Sequence, residues 1–412
     1  MMEFPQDVTL EAALKLLSAH PLSSIDHDTI ALDDALGRIT ASDIASSIDV
    51  PQTDAAAVDG YAIFHDDLAQ QPLPVSPAIK AGHPYQGEVK RGLAYRIFTG
   101  APMPKDANGQ GPDTIAMQEH CTLDDHGRVS LPPDLRQGSN YRPKGENIAK
   151  GDIAIAQGTK LGPSEIGLLA AIGTTQIKVA RRLTVTVLSM GDEIAEAGSK
   201  AGFDQGKIHD SNRPMLKQLL RLDGHDVVDG GIIPDDCDAL TAAFGQAAAT
   251  SDVILSSGGS SEGDEDHARD AILGNNDGVV DFWRLALKPG RPMLAGRIGA
   301  VPVFAVPGNP VAAFVCYRLL VAPILAWRQG QPLTPALSIP ARSNFSQRHR
   351  KGRTEYLRAR LTENGIILNG KPGAGVLTSL TGADGLVEIP ADHDNVIEGD
   401  VLNFYPLRES AL

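Results

Sequence analysis

Residues 252–273 read DVILSSGGSSEGDEDHARDAIL, residues 283–296 read WRLALKPGRPMLAG, and residues 301–314 read VPVFAVPGNPVAAF. The apolar run Val253–Leu255 has strand length and breaks into Ser256-Ser257-Gly258-Gly259-Ser260-Ser261, followed by the acidic residues Glu262, Asp264, Glu265 and Asp266. Glycines let a backbone turn tightly and approach a ligand closely. A strand that enters such a loop ahead of a helix points N–H groups at an anion. Carboxylates beside that nest would repel the anion unless a divalent cation lay between them. The local chemistry therefore points to a phosphate together with magnesium.

The pattern around this stretch sets the fold class. LTVTVLSM (183–190) and Val227–Ile233 are strand-like. They alternate with helical segments after Ser211, a candidate cap, and over 239–249. Pro310 opens a long apolar helix in which Pro323 is a candidate kink. This rhythm predicts a mostly parallel sheet with helices on both faces. In such sheets ligands bind beyond the carboxyl ends of the strands, so Glu193, Asp235 and the 256–266 loop are expected on one edge.

The flanking regions read differently. Leu10, Leu14 and Leu17 share a helical face behind a Thr9 cap, and 33–44 could continue that layer. PQTDAAAVDGYA (51–62) has the look of a turn between domains, with Asp54 and Asp59 around its small residues. From 63 to about 150, short strands broken by Gly and Pro (around 78–79, 95–98, 114–117 and 128–130) suggest an inserted β-rich domain. A helix capped by Ser164 and ended by Gly173 returns to the first domain. Residues 331–412 offer strands over 356–361, 365–368, 385–389 and 401–405, the pattern of a small barrel or sandwich. A basic run opens that region: Arg342, Arg348, His349, Arg350, Lys351 and Arg353. Such a run is commonly a solvated face, and in this chain it could also meet an anionic ligand or another subunit.

Bulk numbers narrow the function. A length of 412 residues exceeds one core, and 42% hydrophobic with 21% charged residues is ordinary for a globular protein. A formal charge of −14 argues against nucleic acid as the main partner. The three cysteines, Cys121, Cys237 and Cys316, fit no zinc spacing. With neither a signal-peptide pattern nor a segment of membrane-span length, the expectation is a cytoplasmic protein with no membrane partner.

Taken together, PQTDAAAVDGYA, IFTGAPMP (97–104), YRPKGENI (141–148), LSMGDEI (188–194), GKIHDSN (206–212), IIPDD (232–236), SSGGSSEGDEDH (256–267), LKPGRP (287–292) and VPGNPVAA (306–313) resemble the molybdopterin molybdenumtransferase family, the MoeA type that is equivalent to the gephyrin E domain. The motifs stand in family order. The resemblance implies an elongated domain (1–48 with 150–178), an inserted β domain (49–149), a molybdopterin-binding-type α/β domain (179–330) and a C-terminal β-barrel (331–412). It also implies a homodimer and a reaction in which magnesium helps place molybdate, the substrate, on adenylylated molybdopterin, releasing AMP and the molybdenum cofactor. Acceptor molybdoenzymes or the adenylyltransferase are further partners it suggests.

Position by position, the resemblance makes Asp59 a functional aspartate contributed across the dimer, and Glu193, Asp235 and Asp266 the acidic residues of the α/β domain. Asp266, with Asp235 or Glu193, would hold magnesium through water. Ser257, Gly258, Gly259 and Ser261 would cradle the substrate. Lys288 and Arg291 would bind an oxyanion, Pro307 and Pro310 match the PGNP turn, and Arg353 would face the cleft. Departures from the family pattern are Ala55 and Ala56 for Asn-Ser, Asn147 for a carboxylate, Met190 for threonine, Ser260 and Glu262 for valines, Glu265 for an aromatic, and Ala374 for serine. The alternative they leave open is a non-catalytic paralogue that binds or delivers the cofactor.

Overall fold

The computed structural model describes residues 4–20, 26–200, 206–260 and 267–407. They form two compact units: one holds the residues up to Asp28, Gly37–Ala41 and Val179 onward, and the other holds Thr29–Leu36 and Ser42–Lys178.

The larger unit is built on a seven-stranded sheet. Its order across is Gln6–Val8, Gly278–Leu285, Leu294–Ile298, Val301–Val306, Val253–Ser257, Thr184–Met190 and Asp226–Ile233. Leu294–Ile298 pairs antiparallel with both neighbours and every other pairing is parallel, so six strands run one way and one against them. Period-2 alternation sends successive residues to opposite faces. Val185, Val187, Val253, Leu255, Phe304 and Val306 enter the core shared with helices Leu10–Ser18, Asn212–Leu222 and the helical run from Pro310. Leu188, Met190, Ile254, Val303 and Ala305 enter the opposite core, against helices Cys237–Ala248 and Ala268–Gly274. A register shift between Val280 and Phe282 breaks the alternation, and these two residues accordingly pack on opposite faces. The α/β sandwich expected from the sequence is therefore the observed one, with helices on both faces.

Several elements differ from expectation for identifiable reasons. The Thr9 cap forms, its hydroxyl accepting from Ala12 N–H at 3.2 Å, but the strand and helix it joins pack on the large sheet rather than with residues 29–36 and 42–178. Residues 33–44 are not helical; only the short 3-10 turn Leu32–Asp34 forms there. The helix expected to be capped by Ser164 begins at Pro163, and Glu165 reaches back to the Gly162 N–H at 2.9 Å. Pro310–Arg328 is 19 residues long and contains an 18-residue window of mean hydropathy 1.7, so by length and composition it could cross a membrane, contrary to the expectation that no segment reaches that length. In this fold Val311, Ala313, Val315, Leu319, Leu320 and Val321 of that helix are buried in the sheet's core. Its middle, Tyr317–Val321, widens to a π turn just ahead of Pro323. Proline has no N–H to donate to the carbonyl four residues back, and its ring crowds that carbonyl.

The C-terminal region of the same unit closes on itself. Ile339–Arg342, Val401–Pro406, Gly385–Ile389, Thr354–Thr362 and Gly365–Leu368 follow one another across the sheet. A bridge between Ser343 and Ile366 joins its two ends, with Asn344 N–H on Ile366 O at 2.7 Å. Leu357, Ala359, Val387, Leu402 and Phe404 fill the barrel. Leu287–Lys288 adds to it in parallel beside Thr354–Glu355.

In the smaller unit the segment 51–62 is not a turn between domains. Ala55–Ala56 pairs with Tyr141–Arg142, and Gly60–Ile63 is the central strand between Tyr95–Ile97 and Thr114–Met117. Gly60 is required there, because a Cβ would lie 1.9 Å from the Ala116 carbonyl oxygen.

Candidate functional site

Parallel strands deliver their following loops to one rim, and four of them do so here. Glu193 follows Met190, Asp235 follows Ile233, Gly258–Ser260 follow Ser257, and Pro307–Pro310 follow Val306. They line a cavity of about 670 Å3 together with Asn212 and, from the barrel, Gly375 and Leu377. Of the residues expected at the site, Glu193, Asp235, Ser257, Gly258, Gly259, Pro307 and Pro310 are thus brought together. Asp266, Ser261, Glu262 and Glu265 lie outside the described residues. Among the described residues no three His, Cys, Asp or Glu side chains converge as a metal cluster.

The loops are tied to one another. Asp192 N–H donates to Asp235 Oδ2 at 2.9 Å, joining the loops after two neighbouring strands. Gly258 and Gly259 have φ of +94° and +66°, the left-handed region glycine tolerates. A Cβ on Gly259 would sit 2.3 Å from Met190 Sδ. Met190, where the resemblance led us to expect threonine, is therefore the floor under this loop, and it is buried in the second core. Gly258 N–H donates to Val306 O at 3.1 Å, so that amide is not the free anion donor expected from the sequence. Ser260 is 4% exposed; its hydroxyl donates to Pro292 O, and its carbonyl accepts from Trp283 Nε1 at 3.0 Å. Where the resemblance led us to expect valine, Ser260 is a satisfied buried hydroxyl that pins the loop.

Asn212 is the residue the sequence reading missed. Its Nδ2 donates to Ser257 Oγ at 2.7 Å and to Gly308 O at 2.6 Å, bridging two site loops. Asn212 Oδ1 and Ser189 Oγ are buried at the cavity wall with no partner among the described residues. The stretch GKIHDSN carried a signal for this position, but nothing in its spacing reveals a contact with a glycine 96 residues away.

The segment leading into Asn212 is held by a buried ion cluster. Arg213, 4% exposed, pairs through Nε with Asp210 at 3.0 Å and through its other nitrogens with Asp229 and Glu196. Lys217 also pairs with Asp229. Burial opposes ionisation of Asp229, but hydrogen bonds from Lys217, Arg213 and the Gly231 N–H outweigh it and lower its pKa from 3.8 to about 2. A depressed carboxylate contributes stability above its unfolded pKa and loses it as pH falls through its folded one. Between pH 3.8 and about 2 the urea midpoint should therefore fall more steeply in the native chain than in Asp229→Asn. Parallel pH profiles for the two proteins would remove Asp229 as a source of acid sensitivity.

Lys288, Arg291 and Arg353 are not in the strand-end cavity. They line two further cavities, of about 560 and 380 Å3. The smaller of these shares Pro292, Pro307 and Asn309 with the strand-end cavity, so a continuous wall links the two regions. His349, Arg350 and Lys351 join the larger one, so part of the basic run faces inward. Lys288 Nζ lies 2.8 Å from the carboxylate of Glu355, which is 5% exposed, and His349 Nδ1 lies 3.3 Å from the same group. Arg291 grips Asp7 with bonds of 2.7 and 3.0 Å, and that grip lowers the Asp7 pKa. Ala374 lines the smaller cavity, and its carbonyl accepts from Val311 N–H at 3.0 Å.

Asp59 belongs to the smaller unit. Its Oδ1 accepts from the Thr99 hydroxyl at 2.7 Å and the Thr99 N–H at 2.8 Å, and these bonds lower its pKa. Ala55 and Ala56 are 6% and 1% exposed, so the polar pair expected there would have been buried. Asn147 is exposed, with its N–H on Val50 O at 2.9 Å.

Comparison with known proteins adds three family matches. Residues 8–173 match the MoeA N-terminal region (domain I and II), residues 186–327 the "Probable molybdopterin binding domain", and residues 340–407 the MoeA C-terminal region (domain IV). The chain is 35% identical to the molybdopterin molybdenumtransferase of Haemophilus influenzae, over 97% of this chain and 98% of that one. It is 30% identical to molybdopterin molybdenumtransferase 2 of Mycobacterium tuberculosis, over 92% and 95%. Its structure resembles the molybdopterin biosynthesis moeA protein of Pyrococcus horikoshii, with a TM-score of 0.83 at 28% identity over 97% and 99% of the two chains. Match in order, length and architecture places this chain in the molybdopterin molybdenumtransferase family of enzymes.

Proposed function

We propose that the chain inserts molybdate into adenylylated molybdopterin in a magnesium-dependent reaction that releases AMP and yields the molybdenum cofactor. The observation that supports this most directly is the meeting of Glu193 and Asp235 with the Ser257–Gly259 loop and the Pro307–Pro310 turn in one cavity, next to a basic region. The donor set suits the metal. Two carboxylates and the unpartnered oxygens of Ser189 and Asn212 are hard ligands, and Mg2+ is held by few carboxylates while keeping several waters.

Glu193 and Asp235 would hold magnesium, with Asp266 as the third carboxylate of the proposal. Bound there, it would neutralise charge that develops on the phosphoanhydride as AMP departs. The two glycines let the nucleotide phosphates come close to the backbone, and Ser257, oriented by Asn212, offers its hydroxyl. Lys288, Arg291 and Arg353 would receive the molybdate oxyanion or a phosphate. Lys288 has three N–H donors, so it can keep Glu355 and still bind an anion. Asp59 completes the proposed set of carboxylates. Ser, Cys or His nucleophiles are not needed; Cys316 is fully buried, and burial pushes its thiol well above the usual range.

We likewise propose a cytoplasmic homodimer that delivers its product to acceptor molybdoenzymes. The decisive experiment supplies purified protein with Mg2+, molybdate and adenylylated molybdopterin. AMP should accumulate with all three present and cease when EDTA is added. Absence of AMP from the complete mixture would refute the catalytic reading.

A further inference from the structure

A fourth cavity, of about 330 Å3, lies toward the amino-terminal ends of the strands, the opposite rim from the strand-end cavity. Its apolar wall comes from Leu17, Phe304, Ile324 and Trp327. Its polar members are His20, Asp281, Arg297 and Arg328. Three of these engage one another: Asp281, 7% exposed in its side chain, accepts from Arg297 Nη1 and sits 2.9 Å from His20 Nε2.

Arg328 is different. It is 8% exposed, and its Nε is buried with no hydrogen-bond partner among the described residues. The carboxylate that acts on it electrostatically, Asp252, is committed elsewhere. Asp252 accepts two bonds of 2.8 Å from Arg181 and one of 2.7 Å from the Thr184 N–H. Burial pushes the Arg328 pKa down, as expected for a cation that lacks compensation. A buried charge is retained only when something pairs with it, and this one lines a cavity at the lower end of the ligand-pocket range of roughly 300–1,000 Å3.

We propose that this cavity is a ligand site for a small aryl carboxylate, its ring against the Trp327 and Phe304 wall and its carboxylate paired with the Arg328 guanidinium. A guanidinium matches a carboxylate with two parallel bonds. One uncompensated positive charge beside apolar walls suits a monoanion with an apolar body better than a small hydrated dianion. The site is independent of the reaction proposed above, and none of the residues assigned to that reaction lines it.

The test is titration calorimetry on the full chain with phenylacetate, 2-phenylethanol and inorganic phosphate. Phenylacetate should bind saturably, the alcohol at least about tenfold more weakly, as loss of a charged hydrogen bond implies, and phosphate not at all. Arg328→Met should weaken phenylacetate at least about tenfold by the same reasoning. Ala300→Phe, at an exposed turn on the cavity lining, should block it sterically. That second variant leaves the buried charges alone and keeps the test decisive if Arg328→Met does not fold. No saturable binding of phenylacetate, equal binding of acid and alcohol, competition by phosphate, or phenylacetate binding that survives Ala300→Phe would each overturn the proposal.

Discussion

Glu193→Gln and Asp235→Asn should each lower AMP release by roughly ten- to a hundredfold, the loss typical when a group supporting a metal is removed. Both changes keep the side-chain shape and delete only the charge. In Asp235→Asn the amide oxygen can still accept from Asp192 N–H, so the loop tie survives. Glu193 is exposed and Asp235 half-buried, so neither change should move the melting temperature by more than about 2 °C, given that surface substitutions stay within about 0.5 kcal/mol. The informative comparison is activity against magnesium concentration. Each variant should recover part of its rate at high Mg2+ if the residue holds the ion. Full activity in both variants at ordinary Mg2+ would remove the strand-end carboxylates from the mechanism.

The second large effect is on stability. Arg213→Met should destabilise the larger unit by about 3–5 kcal/mol, because Asp210 would be left charged, buried and unpaired. At roughly 2–4 °C per kcal/mol for a body of this size, the calorimetric transition should fall by about 10 °C. Burial works against the Arg213 charge, yet Asp229, Asp210 and Glu196 outweigh it and raise its pKa. Replacing Asp210 as well, in Arg213→Met with Asp210→Leu, should recover part of the loss, since apolar groups can substitute for a buried pair. A single variant that melts with the native chain would mean that the cluster is dispensable. Because Asp210 and Asn212 also line the strand-end cavity, the Arg213 variant should also bind substrate more weakly below its transition.

Much of the fold was legible because its signals are local. The β-branched run 184–190, the apolar face at Leu10, Leu14 and Leu17, and the glycine break after Ser257 each report on neighbours within a few residues. Parallel strands then oblige their following loops to share a rim, so the meeting of Glu193, Asp235 and the 257–260 loop followed from pattern and topology together. The segment 51–62 misled because small residues with Asp-Gly suit a turn as well as a strand. Gly60 is set by an Ala116 carbonyl 56 residues away, and local spacing has no access to that contact.

From the sequence alone came the kind of sheet, the order of motifs, the family and the identity of the charged groups, since all of these are written in periodicity and residue type. Tertiary structure alone decided which of those groups are already engaged. It placed Glu355 on Lys288, Asp7 on Arg291 and Asn212 across two loops, and it left Arg328 buried without an answering carboxylate. Partners separated by tens or hundreds of residues meet only through packing. Burial then decides whether a charge is spent on the fold or remains available to a ligand.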